Sequence, residues 1–286
     1  MRKLISILGI SLLSAACAGA GASGSPGVTP VPHYNVATAS DQLVLQITTG
    51  GGLAPISVRL TDTPWFALYG DGRIIVRGPA IGSYPGPVLP NLRLMQVTPA
   101  EIQKILAAAD QAGLLGPDAN FNATDIFDAS STSFTTTVDG KTHTIGAYAL
   151  GYPVVTVDAA LTEARKKLSG FSDKARDLAT FLGREISDAG AYDATSMRIF
   201  TSPTDLSDPD LKRQVVAWPL TADPGTIGEV AKVPKTRCLV LTGPDLETLL
   251  TVARTANTLT TWTYGADRYS VYVRPLYPDE TGCPAS

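Results

Sequence analysis

The chain has 286 residues, 44% of them hydrophobic and only 17% charged, with 26 glycines and 21 prolines. That length fits one large domain or two small ones with a sizeable core, and the composition favours strands and turns over long solvated helices. The formal net charge is -3 and no basic run follows Arg2 and Lys3, which argues against nucleic-acid binding because phosphate affinity needs clustered cations.

The N-terminus has the three parts of an export signal: Arg2 and Lys3, an apolar run from Leu4 to Leu13, and small residues from Ser14 to Ala16. The apolar run is too short for a permanent span, which takes about 20 residues. The stretch Leu13-Ser14-Ala15-Ala16-Cys17 resembles the lipobox of bacterial lipoproteins, with Ser14 standing where Leu is commonest. The resemblance implies cleavage after residue 16, diacylglycerol on the Cys17 sulfur and an acyl chain such as palmitate on its nitrogen. An ordinary signal followed by a chance cysteine is the alternative. Two or more acyl chains, at about 0.8 kcal/mol per buried methylene, hold a protein stably at a membrane. Residues 17–38 then read as the lipidated cysteine and a flexible Gly-, Ala-, Ser- and Pro-containing tether. Loss of Arg2 and Lys3 leaves 21 basic against 26 acidic residues, a net charge of about -5.

Residues 39–152 read as an N-terminal α+β subdomain. Gln42 to Thr48 alternates apolar and polar residues and predicts a strand, as does Ile56 to Leu60. Trp65 to Gly78 predicts a hairpin turning at Asp71-Gly72. Pro79 to Pro90 is a loop by composition. Thr98-Pro99-Ala100-Glu101 is a capping box with proline at the first helical position. Ile102, Ile105, Leu106 and Ala109 put one apolar face on the helix behind it, which Gly113 stops. Ser133 to Tyr148 predicts a hairpin about Asp139-Gly140; a two-residue turn sets Val138 opposite Lys141, Thr136 opposite His143 and Phe134 opposite Ile145.

Residues 153–190 read as a helical connector broken at Ser169-Gly170, with stripes Ala160, Leu161, Ala164, Leu168 and Leu178, Phe181, Leu182. Residues 191–286 read as a C-terminal α+β subdomain. Strands are expected at Ser196–Thr201, Gln214–Pro219 and Cys238–Leu241, and a helix opens at Gly243-Pro244-Asp245 with Leu246, Leu249, Leu250 and Ala253 toward the core. A third hairpin runs from Leu259 to Arg274 around Gly265-Ala266-Asp267. The order of elements predicts an α+β fold with mainly antiparallel sheets, hairpins and packed helices. It also admits two similar subdomains, although the later hairpins do not keep the offset between the two helices.

The sequence has no G-x-S-x-G elbow, H-E-x-x-H, C-x-x-C or phosphate-binding P-loop. Its two histidines are His33, in the tether, and His143, in a hairpin strand. A lipid-anchored extracytoplasmic binding or interaction protein without catalysis is therefore the leading expectation; an envelope hydrolase using His143 or loop carboxylates, and a structural envelope component, are the alternatives. No cofactor is expected. Asp118, Asn120 and Asn122 have the spacing that begins a calcium loop. However, Ala123 and Ala129 replace the glycine and glutamate that such a loop needs, so a polar loop without an ion is the preferred reading. Cys238 and Cys283 are the even pair left once Cys17 is set aside, and an exported chain favours their pairing. Trp65, Tyr69, Trp262, Tyr264, Tyr269 and Tyr272 sit on hairpin strands, where core packing is the preferred reading. The alternative is a groove for an envelope polysaccharide or protein ligand, with Arg59, Arg77 and Arg274 pairing with either its carboxylates or the protein's own acids. The runs FALYGDGRIIVRG, THTIGAYALG and YSVYVRPLYP resemble uncharacterised exported bacterial lipoproteins, and the resemblance implies no particular activity.

Overall fold

The computed structural model describes residues 33–80, 82, 84–153, 158–204 and 212–284. The signal sequence, Cys17 and the tether as far as Pro32 lie outside the described residues. Two mostly antiparallel sheets and five helices make an α+β fold.

The first part of the chain contains β1 (Leu43–Gly50), α1 (Ile56–Thr61), β2 (Phe66–Tyr69), β3 (Arg73–Arg77), β4 (Leu92–Gln96) and α2 (Pro99–Gln111). It continues with β5 (Ala119–Asn120), β6 (Ser131–Val138), β7 (Lys141–Tyr148), α3 (Ala159–Arg176), α4 (Leu178–Leu182) and β8 (Ser187–Ala191). The strands form an eight-stranded sheet in the order β5-β7-β6-β1-β2-β3-β4-β8. On one face Leu45, Ile47, Phe66, Leu68, Ile74 and Phe134 pack against Ile105, Leu106, Leu168 and Phe171 of α2 and α3. Helix α2 begins as its capping box predicts: Thr98 accepts from the Glu101 amide and Glu101 accepts from the Thr98 amide. The β6–β7 register also follows the prediction, including Val138 opposite Lys141, Thr136 opposite His143 and Phe134 opposite Ile145. Asp139 and Gly140 both have positive φ, as the tight hairpin turn demands.

Three local expectations are corrected. Residues 56–60 lie in helix α1, not in a strand; none of its residues is buried, so no sheet neighbour enforces their alternating pattern. The Asp71-Gly72 hairpin closes through three residues, because Leu68 faces Ile74 and the Gly72 amide bonds to Tyr69 O at 3.0 Å. Helix α3 runs straight through Ser169-Gly170 and ends at Asp177, which caps α4 by accepting from the Thr180 amide. Its buried stripe is Arg165, Leu168, Phe171, Ser172 and Ala175, rotated away from Ala160 and Leu161. Both helices pack on the first sheet, and β8 joins that sheet, so residues 159–191 belong to this layer.

The second sheet comprises β9 (Ser196–Pro203), β10 (Val215–Ala217), β11 (Glu229–Val230), β12 (Arg237–Thr242), β13 (Thr261–Tyr264) and β14 (Asp267–Pro275). Their order is β10-β13-β14-β9-β12-β11. Helix α5 (Gly243–Ala253) buries Leu246, Leu249 and Ala253 against this sheet, and Trp218, Trp262 and Val88 fill the same core. The two halves differ in connection. Beside β1 lies the first strand of its hairpin, β6; beside β9 lies the second strand of its hairpin, β14. Shared element order therefore does not become shared topology.

The C-terminal tail ties the sheets together. Tyr277 enters a small cluster with Tyr69, Ile75 and Leu92 on the reverse face of the first sheet, and its hydroxyl donates to Pro64 O at 2.9 Å. The Tyr69 hydroxyl donates to the Asp279 carboxylate. A disulfide joins Cys283 to Cys238 in β12, with Cα atoms 6.0 Å apart.

Candidate functional site

The helical layer over the first sheet leaves an opening. Beside the C-terminal end of α3 and the start of α4, the strands β3, β4 and β8 stay partly open. The uncovered strip is a groove of about 830 Å³, within the usual range for ligand sites.

Its apolar lining is an extension of the first core. Val76 and Met95 come from β3 and β4, Trp65 precedes β2, and Leu178 and Ile186 come from the chain around α4. Period-2 alternation puts Arg93 on the same face as Met95. Arg77, Arg93 and Arg176 supply cations, and Asp177, Glu185 and Asp188 supply carboxylates.

Most of these charges are already engaged. Arg77 donates to the Asp62 carboxylate and to the carbonyl of Thr63. Arg93 pairs with Asp188, which holds that carboxyl below its usual range. Asp177 is likewise lowered, chiefly by its bond to Thr180 in the α4 cap. Arg176 differs: its guanidinium lies 4.3 Å from the Trp65 ring centroid, and among the described residues it has no carboxylate within ion-pair distance. Trp65 is only 9% exposed, and its indole N–H donates to Thr49 Oγ1 at 3.3 Å. Together they form a fixed aromatic ring under a cation available to a ligand.

The structure separates the residues that the groove alternative would bring together. Of Trp65, Tyr69, Trp262, Tyr264 and Arg274, only Trp65 lines this one. Tyr69 is fully buried on the opposite face of the sheet, where burial and Asp279 push its hydroxyl far above the ordinary tyrosine range. Trp262 is fully buried in the second core, edge-on to Trp218 at 6.0 Å. The Tyr264 hydroxyl donates to Thr221 O at 2.9 Å. Arg274 is a buried clamp that donates to both Glu280 carboxylate oxygens at 2.6 Å and to Asp62 O at 2.6 Å. Aromatic strand residues here are mostly core, as their apolar area favours.

Asp118, Asn120 and Asn122 do lie in a row, along the outer edge of β7. Asp118 accepts from the Thr144 amide at 2.8 Å and Asn122 from the Tyr148 amide at 2.9 Å. Between them the backbone of β5 pairs in parallel with β7, and the Asn120 side chain lies over Gly146. The alternating oxygens thus complete a sheet edge. Among the described residues no group of three or more His, Cys, Asp and Glu is placed to hold a metal ion. His143 bonds through Nδ1 to Gly116 O at 2.8 Å; a carbonyl only accepts, so Nδ1 carries the proton.

No protein-family model, curated protein or solved structure matches this chain. Among the described residues no helix is long and apolar enough to cross a membrane. The Cys238–Cys283 bond fits an oxidising, extracytoplasmic compartment.

Proposed function

We propose that this protein is a lipid-anchored extracytoplasmic binding protein, held by Cys17 and carrying its ligand in the groove over β3, β4 and β8. The signal pattern and lipobox-like run support the anchor, and the disulfide supports the compartment. The observation that carries the binding role is Arg176 on Trp65: a cation without a carboxylate partner among the described residues, stacked on an aromatic ring beside the apolar surface of Val76, Met95 and Ile186. That arrangement suits an envelope ligand combining an anionic group with an apolar face, whether an acidic polysaccharide or a segment of protein.

The test is direct binding. Arrays of acidic glycans and acidic peptides are screened with the intact protein, and the best binder is titrated against Arg176→Ala and Arg176→Lys. Loss of one charge-assisted contact weakens affinity about tenfold or more, with lysine restoring only part because it cannot stack in the same way. Equal affinity in all three proteins would remove the groove from the binding role. Incorporation of a labelled fatty acid, abolished by Cys17→Ala, tests the anchor independently.

A further inference from the structure

The end of the first sheet near Gly50 carries an apolar tip that the groove does not use. Leu53 is 81% exposed and Phe127 is 84% exposed. They stand on two loops in direct contact: a Cβ built on Gly52 would lie 2.8 Å from Asp128 O. Helix α1 follows with Ile56 and Val58 exposed and no residue buried. Single exposed apolar residues are ordinary, but two large side chains this bare on adjoining loops call for an occupant.

The way the chain enters the domain indicates which occupant. Asn35 is bound to Asp139, at the hairpin turn of β6 and β7. Gly50 pairs with Ser131, at the other end of β6. The tip and the tether therefore lie at opposite ends of an eight-residue strand, about 26 Å apart. Residues 18–32 can span up to about 50 Å, nearly twice that distance. The tether is long enough to let the domain turn its far end to the membrane that holds Cys17. No lysine stands among the tip residues 51–58 and 125–128, so the apolar contact does not depend on anionic lipid.

We propose that Leu53 and Phe127, flanked by Ile56 and Val58, insert into the outer face of the bilayer as a second, non-covalent foothold. Which membrane they meet rests on the Cys17 anchor; the insertion itself rests on the tip. Each large side chain buried strengthens membrane partition about tenfold or more, in addition to the hold of the Cys17 lipids.

The experiment places the full lipidated chain in phosphatidylcholine vesicles with brominated acyl chains, which quench nearby indoles. The native tryptophans are buried, at 9%, 6% and 0% exposure, and give an unquenched baseline. A Phe127→Trp variant is expected to be quenched, and to escape quenching once residues 22–32 are deleted, since the tether that remains is shorter than the strand. The Leu53→Asp, Phe127→Asp double variant leaves vesicles about tenfold faster or more. Vesicle-bound Phe127→Trp protein that is not quenched would overturn the insertion and turn the tip toward a protein partner. Quenching that survives the deletion would overturn the proposed tether route. Fatty-acid labelling at Cys17 is scored in the same samples. Label without quenching sinks the tip alone, and quenching without label sinks the anchor alone.

Discussion

The two sheets are roofed differently. The second sheet's long strands are covered by one helix, α5, and by chain that folds over it, with Val88 bonding to the Ala256 carbonyl at 3.1 Å and Trp218 packed beside Trp262. The first sheet is two strands wider, and beside α3 and α4 its helical layer leaves the groove open over β3, β4 and β8. The roofs are also attached differently. Helix α5 is seated by leucines, whereas α3 is keyed by Arg165, buried and donating to the carbonyls of Phe121, Tyr148 and Ala149 at 2.6, 2.9 and 2.6 Å.

The largest expected effect breaks that second contrast. Replacing Arg165 with methionine leaves three inward carbonyls without their donor and should cost about 3–5 kcal/mol, read as a lowered denaturation midpoint. A loss under about 1 kcal/mol would mean that α3 is seated by apolar packing alone, as α5 is.

A paired truncation sharpens the first contrast. Leu249→Ala under α5 should cost about 2–5 kcal/mol, the usual range for a filled core. Met95→Ala in the uncovered strip should cost less than about 1.5 kcal/mol, because the half-buried side chain leaves no closed cavity. Equal costs would show that the groove is closed in solution.

The smallest effect lies at the N-terminus of α2. Arg184 beside Glu101, helped by the Thr98 cap, holds that carboxyl down at about 2. A depressed carboxylate contributes stability above its unfolded value, near 4.5, and loses it as pH falls toward 2. Glu101→Gln keeps the cap geometry but not the charge. It should destabilise by under about 1 kcal/mol at neutral pH, with the difference from the parent vanishing near pH 2 in acid titrations followed by circular dichroism. A difference unchanged at pH 2 would assign the effect to the cap rather than the ion pair.

Short-range chemistry was legible in the sequence. The α2 capping box and the β6–β7 register depend on residues a few positions apart, and both appear in the structure as read. The α1 error arose because Ile56-Ser57-Val58-Arg59-Leu60 alternates like a strand, and alternation decides conformation only where a neighbouring strand accepts it. The α3 stripe was misread because its key is Arg165, which an apolar pattern passes over. Gly170 suggests a break, but nothing approaches that residue closely and the helix continues; the later signal, Asp177 as an N-cap, marks the true end. The groove pairs Trp65 with Arg176, residues far apart in sequence. Nothing local links them, so the tryptophan was found and its cation was not.

The tail carries a consequence for the order in which the protein is made. Tyr277, Asp279 and Cys283, which fasten the reverse face of the first sheet and the middle of the second, follow in sequence every strand they fasten. A chain emerging from its N-terminus can assemble the first sheet early, yet the partners that lock it arrive only after β14. Until then Tyr69 and Pro64 lack their hydroxyl contacts and Cys238 lacks its mate. The first sheet therefore stays unlocked until the chain beyond β14 has been made.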